Sequence, residues 1–146
     1  MVQAKVQPVT FSQHGDDRGQ LIAIEAASRL VPFEIRRCYY IFDTTPGTVR
    51  GLHAHKELKQ LLFCVNGSCT IKCELPDGHV ETHVLDWPNK GLVIEGPVWR
   101  VMDNFSKGAV LIVLASEHYS EEDYIRDHDE YVRIYGIDRG NPSPCQ

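Results

Sequence analysis

Turn-forming clusters interrupt the chain at short intervals: Asp16-Asp17-Arg18-Gly19, Thr45-Pro46-Gly47, Asn66-Gly67, Asp77-Gly78, Trp87-Pro88-Asn89-Lys90-Gly91 and Glu95-Gly96-Pro97. Between them lie segments rich in β-branched and aromatic residues, at 20–25, 35–42, 60–65, 69–74, 80–85, 92–94, 99–105 and 110–115. Many short strands at this spacing predict an all-β sandwich or barrel. Asn66-Gly67 and Asp77-Gly78 carry the chemistry of tight hairpin turns. Residues 117–131 read instead as short helical turns closing one end of the barrel, with Tyr119, Tyr124, Ile125 and Tyr131 as anchors. Residues 138–146, with Asn141-Pro142-Ser143-Pro144, read as a frayed tail.

Side chains on a strand alternate between its faces. In 36–42, Arg37, Tyr39 and Ile41 therefore share one face, and Arg36, Cys38, Tyr40 and Phe42 the other. In 51–55, His53 and His55 point one way, and Leu52 and Ala54 the other. Two imidazoles are aimed at one place, either the barrel interior or solvent.

Composition narrows the class. The chain has 146 residues, with no repeat or linker, and reads as one domain over 1–146. A net charge of −5 is a poor match to duplex nucleic acid. The longest apolar run, Ala109 to Ala115, falls far short of the roughly 20 residues of a membrane span. The N-terminus lacks the apolar core of a signal peptide. Five cysteines without a C-x-x-C pair suit reduced thiols in the cytoplasm. The acidic residues at 117–130, Asp123 among them, read as a solvated helix face.

The chemistry concentrates in Gly47 to Gly67. This stretch reads Gly, five residues, His53-Ala54-His55, four residues, Gln60, six residues, Gly67. It resembles the first cupin motif, whose fourth landmark is normally Glu. In metal cupins the two histidines, that Glu and a histidine from a second motif hold the metal. Here the second motif reads Trp99-Arg100-Val101-Met102-Asp103-Asn104, with Arg100 at the histidine position. Gln60 is a weaker ligand than a carboxylate, and Arg100 has no lone pair to give. The expectation is a cupin barrel with no metal and no other cofactor. Two histidines near a cation suit proton abstraction beside a carbonyl, with donors stabilising the enolate oxygen.

The resemblance extends further. Asp17-Arg18-Gly19, Arg36-Arg37-Cys38-Tyr39-Tyr40, Arg50-Gly51-Leu52-His53-Ala54-His55-Lys56, Trp99-Arg100-Val101-Met102-Asp103-Asn104 and Ser116-Glu117-His118-Tyr119…Asp123-Tyr124-Ile125-Arg126 occur in order. Together they resemble the dTDP-4-oxo-6-deoxyglucose 3,4-ketoisomerases, small cupins of bacterial surface-sugar biosynthesis. That resemblance implies a double-stranded β-helix (jelly-roll) and a dTDP-linked 4-keto-6-deoxyhexose as substrate. It implies a product carrying the ketone at C3, ready for transamination in O-antigen or S-layer glycan synthesis. It also implies a homodimer that exchanges N-terminal strands.

On this reading His53 is the base, His55 its partner, and Tyr39 polarises the sugar oxygens. Arg18, Arg37, Arg50, Lys56 and Arg100 are candidates for the pyrophosphate and sugar oxygens. The pair Arg18 and Arg100 takes one feature from each stereochemical branch, so both C4 configurations stay open. Competing readings are a dTDP-4-keto-sugar epimerase, a metal cupin, and a sugar-nucleotide-binding cupin without turnover.

Overall fold

The structure is a computed structural model that describes residues 2–139. It is all-β as expected: two five-stranded antiparallel sheets face each other in a cupin barrel. One sheet runs, in spatial order, β1 (Lys5–Thr10), β9 (Lys90–Glu95), β6 (Lys59–Asn66), β11 (Val110–Ala115) and β4 (Arg37–Ile41). The other runs β12 (Tyr124–Ile125), β5 (Arg50–His55), β10 (Trp99–Asp103), β7 (Cys69–Glu74) and β8 (Val80–Leu85). A separate ribbon pairs β2 (Gln13–Asp16) with β3 (Gly19–Ile22). The tail expected at 138–146 falls almost wholly outside the described residues.

Both sheets contribute to the core, where Leu62, Cys64, Ile71, Leu92, Met102 and Leu111 are buried together. Strand β6 does not alternate, because it is covered on both sides. Leu62 and Cys64 face the interior, while Leu61 and Phe63 pack outward beneath Phe11, Val31 and Phe33. Two-sided burial produces such continuous apolar runs. Burying side chains of this size stabilises by roughly 1.5–3 kcal/mol each.

The C-terminal segment differs from the expected run of helical turns. A 3-10 turn at Glu121–Asp123 leads into β12, which pairs with β5 as Tyr124↔His55 and Ile125↔Ala54. Helix α1 (His128–Tyr135) follows, with the Asp127 side chain accepting from the Glu130 N–H as its N-cap. Tyr131 buries its ring against Trp99, Ala54 and Ile125 and donates its hydroxyl towards the carbonyls of Glu74 and Pro97. The helix thus closes the outer face of β5 and β10, the two strands that carry the histidines and Arg100.

Candidate active site

His53 and His55 both face the barrel interior, while Ala54 between them is fully buried under α1. The strand reaches this arrangement through a bulge. Arg100 pairs with His53, but Val101 pairs with Gly51, so Leu52 is the extra residue. Gly51 and Leu52 both have positive φ, 82° and 54°. That is routine for glycine and costly for leucine. A Cβ at Gly51 would also lie 2.9 Å from the Arg100 carbonyl oxygen. The bulge re-aims the strand immediately before the first histidine.

Each histidine is held at Nδ1 by a group that can only accept. His53 Nδ1 lies 3.0 Å from the Gly51 carbonyl oxygen, and His55 Nδ1 lies 3.0 Å from Asp123 Oδ2. Both rings therefore carry their proton on Nδ1 and present a lone pair at Nε2. Both Nε2 atoms are buried, with no hydrogen-bond partner among the described residues. Burial holds the His53 conjugate acid down at about 3, helped by the Arg100 charge and by His55. Burial likewise lowers His55, to about 4; the bond to Asp123 opposes this and Arg100 reinforces it. Both rings are neutral near pH 7.

Burial raises the Asp123 carboxyl, but the bonds from His55 and from the Glu57 N–H (2.9 Å) outweigh it and hold it below its usual value. The sequence placed Asp123 on a solvated helix face. The structure instead puts it in a 3-10 turn beside β5, where its two oxygens bridge a histidine and a backbone N–H.

Beneath the rings lies a polar floor. Arg100, on β10, is fully buried. Its Nη1 donates to Gln60 Oε1, and its Nη2 donates to the Val98 carbonyl at 3.0 Å. Gln60 is also fully buried, and its Nε2 donates to the Tyr39 hydroxyl oxygen at 3.0 Å. Burial pushes the Tyr39 hydroxyl's pKa upward, so it stays a protonated donor.

Two neighbouring cavities open above this floor. The larger, about 540 Å³, is bordered by Arg37, Tyr39, Arg50, His53, Tyr124 and Arg126. The smaller, about 380 Å³, is bordered by Arg37, His55, Tyr119, Asp123 and Tyr124 among others. Of the residues singled out from sequence, Tyr39, Arg37, Arg50 and the two histidines come together here. Arg100 lies below and borders neither cavity. Lys56 is exposed and borders neither. Arg18 sits on the β2–β3 ribbon, paired with Asp16.

Two wall residues were not expected. Tyr124 packs its ring 4.9 Å from that of His53 and 4.4 Å from that of His55. Arg126 lies over Tyr124 at 4.1 Å and pairs with Glu121. Strand β12 is two residues long and gives no periodic signal, so the inward face of Tyr124, and of Arg126 just after the strand, could not be read from pattern.

The donor set does not fit a four-ligand metal centre of the cupin kind. Arg100 offers no lone pair, and the Gln60 oxygen is committed to Arg100. Among the described residues no group of three or more His, Cys, Asp or Glu has metal-holding geometry.

Comparison with known proteins agrees with this geometry. Residues 4–136 match the FdtA family, described as WxcM-like, C-terminal. A TDP-4-oxo-6-deoxy-α-D-glucose-3,4-oxoisomerase from Aneurinibacillus thermoaerophilus is 46% identical over 126 residues, covering 86% of this chain and 88% of that one. A 3,4-ketoisomerase structure from Helicobacter canadensis superposes with a TM-score of 0.84 at 47% identity, covering 89% and 96% of the two chains. A histidine-to-asparagine variant of a Thermoanaerobacterium thermosaccharolyticum 3,4-ketoisomerase, bound to TDP-4-keto-6-deoxyglucose, also superposes at 0.84. It is 42% identical and covers 89% and 93%. A cupin barrel with paired histidines, matched over nearly its whole length by these proteins, places the chain among the isomerases of the sugar 3,4-ketoisomerase family.

Proposed function

We propose that this chain converts TDP-4-oxo-6-deoxyglucose into a TDP-3-oxo-6-deoxyhexose by proton transfer, ahead of transamination to a 3-amino sugar. The observation that carries this reading is the free Nε2 lone pair of His53, beside the larger cavity. The C4 ketone acidifies the C3 hydrogen. His53 Nε2 takes that proton, the electron pair forms a C3–C4 enediolate, and the C4 oxygen becomes the oxyanion. The Tyr39 hydroxyl donates a hydrogen bond to that oxyanion. A proton then returns at C4, while the C3 hydroxyl loses its proton and becomes the ketone. His55, also neutral and with a free Nε2, takes the C3 hydroxyl proton and passes it to the C4 oxygen, and the His53 imidazolium returns the proton at C4.

A base with its conjugate acid near 3 is weak in the resting enzyme. Its lone pair is always available, however, and the enolate's developing negative charge favours the imidazolium as the proton moves. Arg37, Arg50 and Arg126 on the cavity wall suit the pyrophosphate. Arg100 acts from below, through its charge and its bond to Gln60. Lys56 and Arg18 contribute at most from outside the two cavities, with Arg18 serving a partner's site.

That last role belongs to a homodimer. The β2–β3 ribbon is exposed along nearly all of its length and carries Leu21 at 60% exposure. A second copy of this chain would cover it. Light scattering of the purified protein is expected to give twice the chain mass, and a monomer would remove the shared site. Replacing His53 by Asn is expected to lower kcat by roughly 10²–10⁴-fold while TDP binding stays within a few-fold. Unchanged turnover would remove His53 as the base.

A further inference from the structure

Gln60 stands where metal cupins carry a glutamate, and it is fully buried in the floor of the site. It bridges two residues of different kinds. Arginine only donates hydrogen bonds, so the contact with Arg100 Nη1 must be made by the Gln60 oxygen. The amide nitrogen is thereby turned to Tyr39, 3.0 Å away, and because it only donates, the Tyr39 oxygen must accept. Both partners are locked: Arg100 and Gln60 are fully buried, and Arg100 Nη2 is held by the Val98 carbonyl. The Tyr39 hydroxyl hydrogen cannot point at a group that only donates, and so is turned towards the cavity that Tyr39 borders.

We infer that Gln60 is a positioning residue: held by Arg100, it fixes the direction of the Tyr39 hydroxyl so that its hydrogen faces the substrate oxyanion. The inference rests on the proton-transfer reading above, in which Tyr39 is the oxyanion donor. Its chemical content lies in the amide. A glutamate at 60 would accept from Arg100 and from Tyr39 alike, drawing the hydroxyl hydrogen into the floor. The same barrel would then offer the oxyanion a lone pair instead of a donor.

The test is the set Gln60→Glu, Gln60→Met, Tyr39→Phe and the double variant of the last two, with kcat and KM measured separately and folding followed by thermal denaturation. Gln60→Glu keeps the fold, since the new carboxylate still pairs with Arg100. It is expected to lose roughly 10²-fold in kcat, the usual effect of removing one oxyanion donor, with KM within about threefold of the parent. Because Gln60→Glu also offsets the Arg100 charge, additivity is read with the neutral Gln60→Met: combined with Tyr39→Phe it should be no slower than Tyr39→Phe alone, since both changes cost the same donor. Multiplying losses, or a Gln60→Glu kcat equal to the parent's, would overturn the positioning role. A Tyr39→Phe variant with unchanged kcat would overturn the reading of Tyr39 and the relay together. Should Gln60→Glu fail to fold, the Gln60→Met cycle decides alone. Losses that do not add to those of Tyr39→Phe support the relay, and additive losses contradict it.

Discussion

The rings of His53 and His55 meet edge to face, with centroids 4.8 Å apart and planes at 83°. They differ in what stands behind them. His53 is backed by a carbonyl of its own strand, and His55 by a carboxylate 68 residues away. A carbonyl cannot change protonation state, whereas the Asp123 carboxylate stabilises any positive charge that reaches His55. The pair therefore combines an imidazole with an uncharged support and a neighbour better able to carry positive charge.

Asp123→Asn is expected to reverse the His55 tautomer. The Glu57 N–H claims the one remaining oxygen, so the new amide nitrogen faces His55 Nδ1 and can only donate. His55 must then carry its proton on Nε2 and has no lone pair to offer. Turnover should fall by roughly 10²–10⁴-fold without loss of TDP binding. Nitrogen-15 spectra of labelled histidine should show the proton at Nε2 instead of Nδ1. An unchanged tautomer would contradict the assignment.

The two neutral histidines also set a pH dependence. In the unfolded chain each takes up its proton near 6.5, whereas in the fold they do so only at about 3 and about 4. Below 6.5 the unfolded state therefore binds more protons than the folded state. Stability should fall with falling pH across the window from 6.5 down to about 4, by up to about 1.4 kcal/mol per pH unit for each histidine. Above that window these groups add no slope. Denaturant titrations from pH 4.5 to 8 check this, and His55→Gln should flatten the curve. In the same range kcat/KM should show no acid limb at 6.5, because the free enzyme keeps its base unprotonated.

Gly51→Ala tests the bulge. The added Cβ meets the Arg100 carbonyl at 2.9 Å in a positive-φ position, so the strand must shift. The Gly51 carbonyl that holds His53 shifts with it. A stability loss above about 1 kcal/mol is expected, with a fall in kcat larger than partial unfolding explains. Leu52→Gly, at the neighbouring positive-φ position, should be tolerated far better.

How much of this was legible in sequence follows from the physics of each element. Strands β7 and β8 coincide with their apolar segments because Asn66-Gly67, Asp77-Gly78 and Trp87-Pro88 bound them, and β11 coincides with its segment because it lies in the longest apolar run of the chain. The shared face of Arg37, Tyr39 and Ile41 follows from period two and is seen in their burial. That Arg100 faces inward did not follow, because the turn at Glu95-Gly96-Pro97 hid the phase of its strand. The bulge at Leu52 left no trace, since leucine is a poor marker of positive φ. Asp123 was hidden by its acidic neighbours, as composition cannot distinguish a solvated carboxylate from one folded back onto a histidine. In the detached ribbon the turn at Asp16–Gly19 and the start of β3 were legible, but β2 was not, because it has no apolar face to display.

The most direct measurement of the central claim is proton NMR of TDP-4-oxo-6-deoxyglucose incubated with the protein in deuterated water. The account predicts that the ketone moves from C4 to C3, that solvent deuterium appears at C4, and that the C5 hydrogen is retained. Deuterium at C5 with inversion of the methyl-bearing carbon, or a sugar bound but left unchanged, would contradict it.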